Sequence, residues 1–194
     1  MRTNADYSRV ITIPNLITLF RILLTPIFII CLIQGYHREA LSVFILAGIT
    51  DLADGLVARV WGQRSPLGTY LDPLADKLLL SSSFIALSIY RLIPPWLMVV
   101  VLSRDLVLVL GVLVFTLASY PILIRPTWAG KLSAGLQMAA VFLVLSRSLW
   151  VLPQGFLQGW FWLTAGFTTG SGIHYVLRAL GEVARSSQNK DHSR

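Results

Sequence analysis

Six stretches of about twenty mostly apolar residues follow one another along the chain, at roughly 15–34, 39–60, 67–90, 95–119, 129–150 and 156–180. A run of that length crosses the hydrocarbon core of a bilayer as one helix, because lipid leaves the backbone no hydrogen-bond partner outside the helix itself. Little of the 194 residues remains for anything else. The expectation is an all-α integral membrane protein with six transmembrane helices. It forms one membrane domain over 1–184, followed by a polar, basic, disordered tail over 185–194. With 55% hydrophobic residues and only 13% charged, the chain lacks the polar surface of a soluble domain.

Charge gives the orientation. The net charge is +7, from sixteen Lys and Arg against nine Asp and Glu. With the N-terminus in the cytoplasm, Arg2, Arg9, Arg59, Arg64, Arg125, Lys131, Arg178, Arg185, Lys190 and Arg194 fall at cytoplasmic ends. Arg38, Arg91 and Arg147 fall at the opposite ends. That bias fits the positive-inside rule, so both termini are expected in the cytoplasm and no nucleic-acid partner is implied. The first apolar run is long enough to span, and no small-residue cleavage pattern follows it, so it reads as a helix rather than a cleaved leader. The single cysteine, Cys31, excludes an intrachain disulfide.

Local signals divide the spans. Ser65-Pro66 reads as a helix N-cap followed by proline at the first helical position. The short link before it makes the second and third helices an antiparallel pair. Pro73 should kink the third helix or remove a backbone bond. Ser103-Arg104-Asp105 interrupts the fourth segment, and residues 119–127 form a longer loop.

The stretch from 51 to 76 concentrates four of the nine acidic residues: Asp51, Asp54, Asp72 and Asp76. Asp51 and Asp54 are three apart, and Asp72 and Asp76 four apart, so each pair shares a helix face. Folding the hairpin about Gly62 brings both pairs to one depth. A carboxylate at a helix centre costs about 2.5–3.5 kcal/mol on insertion scales, and four unpaired ones on the order of 10 kcal/mol. Like charges so close do not all ionise without cations. Oxygen-only donors suit hard divalent ions, magnesium, manganese or calcium, and the three histidines show no ligand spacing. Gly55, Ala58 and Gly68 let a ligand approach the backbone, and Arg59 offers a planar donor fork suited to phosphate. An ion-pair network is the structural alternative, with Arg59 and Lys77 as partners. Two cations do not neutralise four carboxylates.

Asp51-x-x-Asp54-Gly55-x-x-Ala58-Arg59, eight residues, then Gly68-x-x-x-Asp72-x-x-x-Asp76 resembles the full signature of the CDP-alcohol phosphotransferase family. The resemblance runs from about Pro14 to Leu145. It implies a six-helix membrane fold, usually homodimeric, with its active site open to the cytoplasmic leaflet. The residues matching Asp51, Asp54, Asp72 and Asp76 would hold two Mg2+ or Mn2+ ions. Asp76 would also be the general base, with Asp72 beside it in the catalytic set. Gly55, Ala58, Arg59 and Gly68 would line the CDP site. The implied reaction moves a phosphatidyl group from CDP-diacylglycerol to glycerol 3-phosphate, releasing CMP. Phosphatidylglycerol, as in cardiolipin synthesis, is the alternative acceptor.

Other residues are weighed on their positions. Asn15, Thr18 and Arg21 on the first helix come within reach of the nucleotide, and Asn15 equally reads as a helix-entry cap. Arg104 lies deep in a span and needs a partner. Adjacent helical residues point different ways, so the expected partner is on another helix rather than Asp105. Arg104 and Lys131, with Arg125 at the entrance, are the candidate ligands for an acceptor phosphate. A divalent-cation or proton-coupled transporter would also use intramembrane carboxylates, but usually in two corresponding halves. Here they occupy one hairpin.

Overall fold

The structure is a computed structural model. Its backbone is described for residues 13–61, 66–117 and 128–191, and its side chains for 16–51, 74–111, 113–114, 117 and 128–181. Six helices and no strands make up the described residues: α1 (Ile13–Ile33), α2 (His37–Trp61), α3 (Pro66–Ile89), α4 (Pro95–Leu117), α5 (Trp128–Ser146) and α6 (Gln154–Asp191). Each coincides with one apolar stretch of the sequence, and α3 begins at Pro66, where the N-cap signal places it. Two compact units are present, Met1–Ile93 with Val141–Leu152, and Pro94–Ala140 with Pro153–Arg194.

In the first unit α1 packs against both α2 and α3. The buried stripe of α1 is Thr18, Arg21, Leu24, Thr25, Phe28 and Leu32, at the three- and four-residue spacing of one helix face. Its other face, Leu16, Leu19, Phe20, Leu23, Ile27 and Ile30, is exposed. A polar interior stretch under an apolar exterior inverts the soluble pattern, and lipid as solvent favours it. Ala40 and Ala47 of α2 are fully buried, and Phe28 meets Phe44 with ring centroids 5.9 Å apart. Small residues at a helix interface let backbones approach closely.

The helix ends follow capping chemistry. After α1, Gly35 N–H donates to the Leu32 carbonyl and Tyr36 N–H to that of Cys31, with Gly35 at φ 76°. That is the Schellman pattern, whose left-handed residue is normally glycine. After α3 the same pattern recurs, Arg91 N–H to the Ser88 carbonyl and Leu92 N–H to that of Leu87, but Arg91 occupies the left-handed position at φ 56°. Pro26 lies inside α1, and just before it the Thr25 hydroxyl donates to the Arg21 carbonyl at 3.2 Å.

In the second unit α4 packs against α6. Gly172 of α6 admits the stem of Arg104: a Cβ there would lie 3.2 Å from Arg104 Cγ. A buried polar seam joins α5 to α6. Gln137 Nε2 donates to Thr168 Oγ1 at 3.1 Å and to Ser133 Oγ at 3.4 Å, and the Ser133 and Thr168 hydroxyls are 3.1 Å apart.

Three expectations meet differences. α4 is continuous through Ser103-Arg104-Asp105. α5 stops at Ser146, four residues short of the expected end, in tight turns such as Ser148 N–H to the Leu145 carbonyl. α6 runs through the stretch expected to be a disordered tail as far as Asp191. Extending an existing helix needs no new nucleus, and residues 182–191 contain neither glycine nor proline. Among the described residues, α1 over Leu16–Ile33 (mean hydropathy 2.6) and α5 over Trp128–Ser146 (1.4) are long and apolar enough to cross a membrane.

Candidate active site

Asp51 lies ten residues before the end of α2 at Trp61, and Asp76 ten residues after the start of α3 at Pro66. At 1.5 Å per residue both are about 15 Å from the hairpin turn. The packing converts that equal depth into contact. Arg21 of α1 places Nη1 3.1 Å from Asp51 Oδ1 and 2.5 Å from Asp76 Oδ1. One guanidinium nitrogen therefore gathers a carboxylate from each arm of the hairpin.

Arg21 is only 1% exposed, whereas the Asp51 and Asp76 side chains are 35% and 34% exposed. The cation is thus inside, and each carboxylate keeps an accessible side. Nε and Nη2 of Arg21 are buried and have no hydrogen-bond partner among the described residues. Three helices meet at this point, and α1 brings a buried positive charge to it.

Of the other expected site residues, Asp54, Gly55, Ala58 and Arg59 lie on α2, Gly68 and Asp72 on α3, and Asn15 on α1, with side chains outside the described residues. Arg125 lies wholly outside them. Thr18, one turn before Arg21, is fully buried. A shallow apolar groove of about 410 Å³ runs beside Leu16, Ile17, Leu19, Phe20 and Leu23 of α1 and reaches Thr50, the neighbour of Asp51.

Arg104 and Lys131 belong to the second unit. Arg104 Nη1 pairs with Asp105 Oδ1 at 2.8 Å, contrary to the expectation of a partner on another helix. Neighbouring Cβ atoms diverge, but the long arginine side chain curls back far enough for the charged ends to meet. Arg104 Nε is buried without a hydrogen-bond partner among the described residues. Lys131 is exposed, with Nζ 5.4 Å from the centre of the Trp128 ring, a cation–π contact.

The family model of CDP-alcohol phosphatidyltransferases matches residues 11–170, a span holding all six helix starts and every residue of the carboxylate cluster. The chain belongs to that family. A probable cardiolipin synthase (CMP-forming) of Drosophila melanogaster is 36% identical over 189 residues, covering 89% of this chain and 59% of that protein. The cardiolipin synthase (CMP-forming) of Homo sapiens is 34% identical, covering 89% of this chain and 62% of that protein. A probable phosphatidylglycerophosphate synthase of Mycobacterium tuberculosis is 34% identical, covering 92% of this chain and 87% of that protein. The chain thus spans about three-fifths of the length of the two animal relatives and most of the mycobacterial one.

Within this family frame the donor set fits hard divalent cations. Asp51 and Asp76 offer oxygen ligands with an open side, and Asp54 and Asp72 stand one helical turn from them. Sequence reasoning placed Arg21 only near the nucleotide. No spacing rule links position 21 to 51 and 76, because the link depends on which face α1 turns toward the hairpin.

Proposed function

We propose that the chain transfers the phosphatidyl group of CDP-diacylglycerol to the hydroxyl of glycerol 3-phosphate, giving phosphatidylglycerol phosphate and CMP. The observation that carries this reading is the convergence of Asp51 and Asp76 on one buried arginine, in a chain belonging to the CDP-alcohol phosphatidyltransferase family.

In this reading Asp51, Asp54, Asp72 and Asp76 would hold two Mg2+ or Mn2+ ions, which would supply charge neutralisation for a diphosphate. The acceptor oxygen forms a bond to the lipid-bearing phosphorus, the bond from that phosphorus to CMP breaks, and Asp76 takes the hydroxyl proton. Such transfers depend on positioning and charge neutralisation more than on covalent catalysis. Gly55, Ala58, Arg59 and Gly68, with Asn15 and Thr18, receive the CDP moiety. Arg104, Lys131 and Arg125 hold the acceptor's phosphate. The apolar groove ending at Thr50 suits an acyl chain of the donor, since it starts one residue from Asp51. The protein spans the bilayer six times as a homodimer of single membrane domains, with both termini and the active site on the cytoplasmic side.

A second reading, cardiolipin synthesis with phosphatidylglycerol as acceptor, is favoured by the names of the Drosophila and human relatives. CMP release by the purified full-length chain, with CDP-diacylglycerol, Mg2+ and each acceptor in turn, separates the two. Release that depends on glycerol 3-phosphate supports the first. Release only with phosphatidylglycerol replaces it with the second, and no release with either sinks both. Asp51→Ala, Asp54→Ala and Asp72→Ala should each abolish release.

A further inference from the structure

Arg21 is the largest fully buried side chain among the described residues, and its charge has no role in the reaction as described above. Its position is specific. Nη1 touches Asp51 on one arm of the hairpin and Asp76 on the other, while Nε and Nη2 lie buried without a hydrogen-bond partner among the described residues. A side chain with only a packing task would not need a guanidinium there, because burying a charge is unfavourable unless its surroundings compensate for it.

We propose that Arg21 is the resident counter-ion of the carboxylate cluster. It holds Asp51 and Asp76 together in the metal-free protein, and its fixed positive charge limits how tightly the site takes a divalent cation. The inference rests on the metal-site reading of these aspartates. Without cations, the carboxylates repel one another, and Arg21 offsets that repulsion from inside. When a divalent ion arrives from the exposed side, it shares the same carboxylates with a charge already in place. Arg21 then acts as a positioning residue, keeping α2 and α3 in register at the site while leaving the metal exchangeable. A purely structural ion pair gives a different signature: its removal loosens the fold and leaves metal affinity unchanged or weaker.

The test uses the full-length protein in micelles, with Mn2+ alone as probe, read by the electron paramagnetic resonance signal of the free ion. Removing a unit charge a few ångströms from the site should tighten Mn2+ binding on the order of ten-fold or more in Arg21→Gln. In EDTA the same variant should unfold at lower temperature than the wild type, and saturating Mn2+ should close most of that gap. Arg21→Lys keeps the charge and should bind Mn2+ within about three-fold of the wild type. Equal or weaker Mn2+ binding by Arg21→Gln overturns the inference, and so does an Arg21→Lys affinity matching that of Arg21→Gln. A wild-type measurement stands independently of how the variants fold. The Arg21 guanidinium nitrogen resonance, in arginine-labelled protein, should shift on saturation with diamagnetic Mg2+, and an unmoved resonance overturns the inference. No Mn2+ binding by the wild type, or binding that survives Asp54→Ala and Asp72→Ala, refutes the metal site itself.

Discussion

Thr168 should matter more to stability than Gln137, although Gln137 is the larger and more polar residue of the seam between α5 and α6. Thr168 Oγ1 accepts from Gln137 Nε2 and also bonds with Ser133, both at 3.1 Å. Gln137→Leu removes the 3.1 Å bond and the longer 3.4 Å one to Ser133, yet leaves the Ser133–Thr168 pair intact. Interhelical hydrogen bonds in membranes average about 0.6 kcal/mol, so this loss should be about 0.6–1.2 kcal/mol. Thr168→Val is nearly isosteric but leaves the Gln137 amide with only the 3.4 Å contact to Ser133. An underpaired buried donor costs about 1–3 kcal/mol. The double variant has no amide left to strand, so its loss should fall below the sum of the single losses by about 1 kcal/mol. Reversible unfolding of the full chain in mixed micelles, followed by circular dichroism, gives all three values. Additive losses, or a greater loss in Gln137→Leu than in Thr168→Val, would refute the assignment of Thr168 as the shared acceptor.

Asp76→Asn should lower kcat while leaving CMP inhibition near its wild-type value, since a base acts in the transition state; lost CMP binding with kcat retained would make Asp76 a binding ligand instead. Arg104→Ala and Lys131→Ala should each raise the acceptor KM roughly ten- to a hundred-fold, the loss of one charge-assisted bond to phosphate, with the donor KM little changed. The reverse pattern moves both residues to the donor site. Arg91→Gly should stabilise the protein by roughly 0.5–1 kcal/mol, because the left-handed backbone penalty of about 1–2 kcal/mol exceeds glycine's entropic cost of about 0.5–1 kcal/mol. Thermal denaturation of the two proteins in the same detergent is the check, and an unchanged or lower midpoint counts against the cap geometry.

Much of the helical framework is readable from the chain, because long apolar runs mark the helices and strong local signals bound those runs. Pro66 starts α3, and Pro95 starts α4, as proline at a first helical position allows. The end of α6 is less legible, because a polar sequence without glycine or proline carries no stop signal. The aspartate hairpin stands out because charge is rare in these helices and the spacing fixes which residues share a face. Its cation does not stand out. Arg21 is thirty residues from Asp51 and fifty-five from Asp76, and only the packing of α1 on both hairpin arms joins them. Arg104 shows the opposite error. Backbone geometry alone separates it from Asp105, and the reach of its side chain restores the pair.

The Arg21 contacts also impose an order on synthesis. α1 precedes the hairpin in the chain, so its arginine is made with both acidic partners still unmade. Asp76 follows fifty-five residues later. At about 5–20 residues per second that interval is roughly 3–11 s. Asp51 is made after thirty of those residues, so the cation of the nascent helix lacks both carboxylates for only about the first half of the interval. α1 therefore completes its ion pairs only when the second arm of the hairpin has been made.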